Sequence, residues 1–369
     1  MAHPILRPMS IGDLLDEAIR LYRYNFIPFV GVVAVVQVPV LLLSLLMTAL
    51  NFALNTQQAI SLVMLQQILR GQPLPSAEMA ALYDRPAPNL AVLLGLVALS
   101  YFVDYLQLAA YLAVLAGTAR MVLSHFLGEA SGIGATWRAT LPRWKSLLGL
   151  SALIIVLDIG LFVWCIVPCV GWVSGPPLLA YLNVCWLALA APVVALEGTG
   201  AAGALRRSWH LARTRFWRIV GVGLFGYVLQ WVLVSAPALL ILVAITAVGL
   251  PAMAGLIGSN VVTMTLAALI SPVVLIAVSL LYLDLRVRHE GLDLALQAEA
   301  LAPPAPAAAV IVPRTLPGPA AQEPLFNAKD RTNLLILAGL VLVPIMLCIG
   351  LPVLLGFIGS LAGSMGSRW

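Results

Sequence analysis

Charge is what this sequence has least of. Of 369 residues only 9% are Asp, Glu, Lys or Arg, against 62% apolar residues and a mean hydropathy of +1.03. An ordinary soluble domain carries about 25% charge and 45–50% apolar residues. In water this composition would leave large apolar areas exposed, so a standard soluble enzyme and a disordered regulator are both excluded. Histidine and cysteine are scarce too, at four each. Cys165, Cys169, Cys185 and Cys348 all lie in apolar stretches without further metal-ligand residues in register, so no metal and no other cofactor is expected. There is no Gly-rich phosphate loop ending in Lys. Gly128-Glu129-Ala130-Ser131-Gly132 sits in a basic loop and not on a strand–turn–helix, which argues against a serine hydrolase. With no nucleophile–base set in view, no enzymatic activity is expected.

What is present is long apolar runs. Seven stretches reach the roughly 20 residues that cross a hydrocarbon core: 26–50, 90–118, 146–170, 178–196, 219–248, 252–283 and 334–358. The expected fold is all-α, a polytopic transmembrane helix bundle of about seven spans. Asp13, Asp16 and Glu17 precede the first run, so it reads as a permanent span and not a cleaved signal. Seventeen of the 20 Lys and Arg fall on one face of this topology, leaving Arg70, Arg85 and Arg368 for the other. The positive-inside rule then predicts a plasma (inner) membrane protein with a cytoplasmic N-terminus and an external C-terminus. The net charge of +5 calls for anionic lipid headgroups as partners and not for nucleic acid.

The chain also repeats itself. Ser10-Ile11-Gly12-Asp13 to Arg23-Tyr24-Asn25-Phe26, Gly132-Ile133-Gly134 to Arg143-Trp144-Lys145, and Gly200-Ala201-Ala202-Gly203 to Arg215-Phe216-Trp217-Arg218 each start on small residues, carry aromatics and Arg, and run into a span. They predict three pseudo-repeats of amphipathic elbow helix plus transmembrane hairpin, over about 9–125, 129–198 and 199–296, within a membrane domain of residues 1–299. In the first elbow Ile11, Leu14, Leu15, Ala18, Ile19 and Tyr22 form one helical stripe, and Ser10 with Asp13 can form a capping box. Leu205, Trp209, Ala212 and Phe216 form the stripe of the third elbow, and Ile133, Trp137, Leu141 and Trp144 that of the second. Such helices are expected to lie in the headgroup plane. That makes Arg20, Arg23, Arg143, Lys145, Arg213, Arg215 and Arg218 candidate lipid-headgroup contacts, the arginines through forked donors. Residues 300–330, rich in Pro and Ala, predict a flexible cytoplasmic linker. Residues 331–369 predict a last transmembrane helix and a short external tail.

Two stretches resemble known proteins. Arg7-Pro8-Met9-Ser10-Ile11-Gly12-Asp13-Leu14-Leu15-Asp16, with Arg20-Leu21-Tyr22-Arg23 and Asn25-Phe26, resembles the entry signature of prokaryotic multi-pass membrane proteins related to the glycerophosphoryl diester phosphodiesterase membrane domain. Tyr282-Leu283-Asp284-Leu285-Arg286-Val287-Arg288-His289-Glu290-Gly291-Leu292-Asp293-Leu294 is similar to the exit signature of that group, and Arg207-Ser208-Trp209 with Arg215-Phe216-Trp217-Arg218 to its internal elbow. The resemblance covers about residues 5–296. It implies a multi-pass plasma-membrane protein of poorly defined function. It does not carry over the phosphodiesterase activity, because no stretch here could form that soluble domain.

Four polar residues interrupt the spans. Asp104 and Asp158 read as lying near the middle of spans two and three, where a charged carboxylate costs about 2.5–3.5 kcal/mol. Gln37, Asp158 and Gln230 follow their elbows at similar distances. Gln37, Asp104, Asp158 and Gln230 therefore form a candidate intramembrane cluster, which either lines a polar cavity or fixes packing through interhelical hydrogen bonds. The leading expectation is a non-enzymatic scaffold or lipid-interacting protein of the cell envelope, with an unidentified membrane or envelope protein partner. The alternative is a small-solute or proton-coupled transporter using Asp104 and Asp158.

Overall fold

The computed structural model describes residues 8–54, 89–129, 132–168, 170–248, 252–294 and 327–340. Among these residues the regular elements are all helical: α1 (Ile11–Tyr24), α2 (Phe26–Leu54), α3 (Leu90–Phe126), α4 (Ile133–Thr140), α5 (Trp144–Ile166), α6 (Val170–Glu197), α7 (Ala201–Thr214), α8 (Phe216–Gln230), α9 (Ala236–Val248) and α10 (Ala252–Glu290). A further helix, α11, covers 328–340. Six helical stretches are long and apolar enough to cross a membrane: Phe26–Asn51, Leu90–Phe126, Ile133–Ile166, Val170–Glu197, Phe216–Ile245 and Ala254–Glu290. The chain is a multi-pass integral membrane protein built as a helical bundle. Most of the expected seventh span lies outside the described residues, as do Cys169, Cys348 and nearly all of the expected linker. Helix α11 begins inside that linker range, where Asp330 bonds back to the Asn327 N–H at 2.8 Å and so satisfies one of the free donors at the helix start.

The helices that leave the membrane toward the basic end are longer than a membrane requires. Helix α3 has 37 residues and α10 has 39. At 1.5 Å per residue that is roughly 55–60 Å, nearly twice the roughly 30 Å hydrocarbon core. Exposure divides the bundle accordingly. Large apolar side chains are exposed on one zone, as at Val38, Leu42, Leu94, Phe102, Phe162, Trp172, Leu224 and Leu240. In the other zone the exit helices are buried, as at Leu115, Val122, Leu189, Val194, Leu280 and Leu285. The first zone is a lipid-facing belt, and the second is a protein cap beyond it.

The elbows build that cap. Helix α1 runs antiparallel to the end of α10: Met9 N–H bonds the Asp284 carboxylate at 2.8 Å, and the Tyr22 hydroxyl donates to the Leu269 carbonyl. Helix α7 folds back along α6, with the Ser208 hydroxyl on the Cys185 carbonyl at 2.7 Å and Trp209 edge-on to Tyr181 at 5.8 Å. Helix α4 folds back along α3, with Thr136 in contact beside Gly117. Each elbow thus leans on an exit helix, and the first elbow takes the last one, which closes a ring of three.

This differs from the flat, headgroup-plane placement expected of the elbows. The surplus length of the exit helices offers them apolar protein surface in place of lipid. Leu14, Ala18 and Leu21 are buried in the shared core, while Ile11 and Ile19 at the edges of the expected stripe are about two-fifths exposed, at 39% and 41%. In α7 the buried face also takes in Ser208 and Arg213. In α4 it consists of Thr136 and Thr140, with Leu141 and Trp144 turned outward. The Ser10–Asp13 capping box is formed, at 3.1 and 3.0 Å.

Two further departures have local causes. The gap between the expected spans 146–170 and 178–196 is itself helical: α6 already begins at Val170 and holds Pro176 and Pro177 inside it. Gly171 and Gly175 lie directly against the Trp164 carbonyl and Cys165, so small residues let the α5–α6 hairpin close tightly at its tip. Between α8 and α9 the span widens into one π-helical turn, Trp231–Ser235, just before Pro237. A proline ring crowds the carbonyl four residues back, and the extra residue in the turn makes room for it.

At the cap end of α6, Gly198 adopts φ +70° and the Arg143 guanidinium lies 3.1 Å from where a Cβ would stand. Gly198→Ala forces a left-handed alanine, at a cost of about 1–2 kcal/mol, and displaces Arg143. The apparent Tm in detergent is expected to fall. Gly134→Ala, with open space at its Cβ position, is expected to leave the Tm unchanged or raise it.

Candidate functional site

Polar chemistry in the described residues concentrates in the cap. It begins at the C-terminal end of α6, where helix carbonyls lack intrahelical partners. Arg143 donates to the Val194 and Ala195 carbonyls, and Arg120 Nη2 to Ala195 at 2.7 Å. Two cations from other elements therefore cap the negative end of the helix dipole.

Two ion clusters sit beside this cap. In one, Asp284 is fully buried and accepts from the Met9 N–H at 2.8 Å and from Arg288 Nε at 3.1 and 3.0 Å. Arg218 Nη2 lies 3.1 Å from its other oxygen, and both arginines also donate to the Met9 carbonyl. In the other, Arg207 Nε lies 3.2 Å from each Glu197 oxygen while its Nη2 bonds Glu290. Arg286, 1% exposed, donates to Glu290 at 2.8 Å, and the Tyr282 hydroxyl donates to Glu197 at 2.7 Å. The entry segment, the internal elbow and the exit segment thus meet in space as one polar clasp.

Sequence reasoning quoted these exit residues but did not read them as paired. The signal was there: Asp284 with Arg288 and Arg286 with Glu290 are opposite charges four residues apart on one helix. Glu197 had no such pattern, because its partners Arg207, Tyr282 and Arg286 all come from other helices.

The seven candidate headgroup cations divide. Arg23, Lys145 and Arg215 are exposed, and Arg20 is exposed while paired with Glu17. Lys145 sits 5.7 Å from the Trp144 ring centroid. Arg143 and Arg218 turn inward to the protein partners above, and Arg213 is buried at 6% exposure. Exposed Tyr24, Trp144 and Trp217 stand at the three elbow-to-span turns, the depth favoured by aromatic residues at a membrane surface.

The four intramembrane polar residues are not brought together by any hydrogen bond among them. Gln37 Nε2 contacts Met264 Sδ at 2.8 Å, and Asp158 accepts from Asn183 Nδ2 at 2.9 Å inside its own hairpin. Gln230 is half-buried at the start of the π-turn. Asp104 is exposed. Its neighbour Tyr105 bonds the Leu148 carbonyl at 3.3 Å, level with the first turn of α5. Asp104 and Asp158 therefore stand at different heights, with Asp158 about 15 Å beyond Leu148 along α5.

Electrostatics in α7 follow from the crowding of arginines. Burial, then Arg213, Arg207 and Arg206, push the His210 imidazole below its ordinary value. Burial opposes charge on Arg207, but Glu197 and Glu290 outweigh it and raise its pKa.

No family model matches this chain, and no curated protein or solved structure is significantly similar to it.

Two outcomes are expected. Asp284→Asn takes the counter-charge from half-buried Arg218 and exposed Arg288 and weakens hydrogen bonds to a charged group, worth about 1.5–3 kcal/mol; unfolding in detergent should shift by about that amount, against little change for Asp16→Asn on the outer face of α1. The His210 pKa is lowered in the folded chain, so between its folded value and about 6.5 the unfolded chain binds the proton that the folded one does not. Stability is present above this window and is lost as pH falls through it. His210→Asn should flatten that acid limb in a Tm-against-pH series.

Proposed function

We propose that this protein is a non-enzymatic scaffold of the plasma membrane that holds a rigid helical cap at the cytoplasmic surface, engages anionic lipid around its rim, and docks an envelope or membrane protein partner. The observation that carries this reading is the clasp. Arg207 and Arg218 of the third elbow pair with Glu197, Glu290 and Asp284, Arg143 of the second caps α6, and the first joins through the Met9 backbone, a fixed set of ties that suits a platform better than a moving part. The exposed cations Arg23, Lys145 and Arg215, beside Tyr24, Trp144 and Trp217, support a rim in contact with headgroups. The basic cap supports the cytoplasmic assignment of that end. The entry, elbow and exit segments that resemble proteins related to the glycerophosphoryl diester phosphodiesterase membrane domain are those that build the clasp, which favours a structural role for the resemblance. The different depths of Asp104 and Asp158, and the bond of Asp158 to Asn183 in its own hairpin, favour the scaffold over a transporter.

Reconstitution tests this. Proteoliposomes are expected to show no proton flux above protein-free vesicles. The Tm is expected to rise when phosphatidylglycerol replaces phosphatidylcholine, because a lipid bound only by the folded state stabilises it. A flux that disappears in Asp158→Asn would overturn the scaffold in favour of a transporter.

A further inference from the structure

At the third elbow-to-span turn the surface opens into a cleft with two connected lobes of about 470 and 420 Å³. Arg213, Thr214, Arg215 and Lys329 line both. The first lobe adds His289, Asn327 and Asp330, so that each described residue lining it carries a polar or charged group. The second adds Phe216, Trp217 and Ala328 and is largely apolar.

Charge in the cleft is unbalanced. Arg215 and Lys329 make no ion pair among the described residues. The one carboxylate, Asp330, is 1% exposed and already accepts from the Tyr181 hydroxyl at 2.6 Å and from the Asn327 N–H at 2.8 Å. Asn327 Oδ1 is buried without a hydrogen-bond partner, so the polar lobe retains an unused amide. The His289 imidazole is 3.0 Å from the Thr214 hydroxyl.

Depth selects the ligand. Arg215 is the hinge residue between α7 and α8, and Trp217, 40% exposed with its indole N–H on Asn333 Oδ1 at 2.9 Å, opens the lipid-facing span. The cations therefore stand at phosphate level, with the apolar lobe on the membrane side. Guanidinium and ammonium donors recognise phosphate oxygens, and an aromatic, apolar wall beside them suits a glycerol backbone and the first carbons of acyl chains.

We propose that this cleft is a binding site for the phosphodiester headgroup of one anionic glycerophospholipid. Arg215 and Lys329 hold the phosphate, Asn327 meets a polar headgroup substituent, and Phe216 and Trp217 flank the glycerol. Phosphate recognition is chemistry that a free phosphate ion shares; the apolar second lobe points to the lipid. The site deepens the lipid-engaging part of the function proposed above and rests on it.

Titration calorimetry on the full chain in an uncharged detergent tests the site. The probes are dihexanoyl phosphatidylglycerol, dihexanoyl phosphatidylcholine and inorganic phosphate. One equivalent of phosphatidylglycerol is expected to bind, at least tenfold more tightly than either other probe. The double variant Arg215→Gln/Lys329→Gln should weaken it at least tenfold, while Lys145→Gln, an exposed cation at the second turn, should not. Equal binding of inorganic phosphate, equal binding of phosphatidylcholine, or an unweakened double variant overturns the proposal. The Tm of each variant in detergent separates lost binding from lost folding. If phosphatidylglycerol still raises the Tm of the double variant as it does the wild type, the site falls and lipid engagement stands. If it raises neither, both fall.

Discussion

The cap depends on one buried carboxylate. Asp284, without solvent access, ties the entry segment through Met9, the third elbow through Arg218 and its own helix through Arg288. A buried anion of this kind is tolerable only when fully paired, so the three segments must arrive in register for any of them to be stable there. Dispersion and apolar burial hold the elbows against the exit helices. The carboxylate decides at which height they stop.

That height sets the rest of the geometry. Because the elbows stand upright on overlong exit helices, their apolar faces are spent on protein, and only the turns into the spans touch the membrane surface. The aromatic ring of Tyr24, Trp144 and Trp217 and the exposed cations beside it follow from this placement. So does the two-lobed cleft, which exists because α11 comes to rest against α6 through Asp330 and Tyr181 and against the third turn through Asn333 and Trp217.

Much of this was legible in the residues, and what was not has a physical reason. Composition gave the helical membrane bundle and the places of six of the seven expected spans, and spacing gave the Ser10–Asp13 cap. The recurrence of elbow and hairpin located α1, α4 and α7. Periodicity could show that an elbow has an apolar face, but not whether lipid or protein covers it, because both are apolar. The relative heights of Asp104 and Asp158 were hidden because α3 runs well past its apolar window to Phe126, so the middles of two apolar runs need not lie level. The clasp was hidden for another reason: Met9 and Asp284 are 275 residues apart, and no local pattern encodes such a pairing.

That separation bears on how the chain is made. The first elbow leaves the ribosome long before the helix it leans on, and its partner is translated only after two complete hairpins have been inserted. Until then Leu14, Ala18 and Leu21 must be sheltered by the bilayer surface, by a chaperone, or by a transient neighbour. The ring closes only once α10 has been made: a nascent chain cut short before Asp284 carries a first elbow with nowhere to dock.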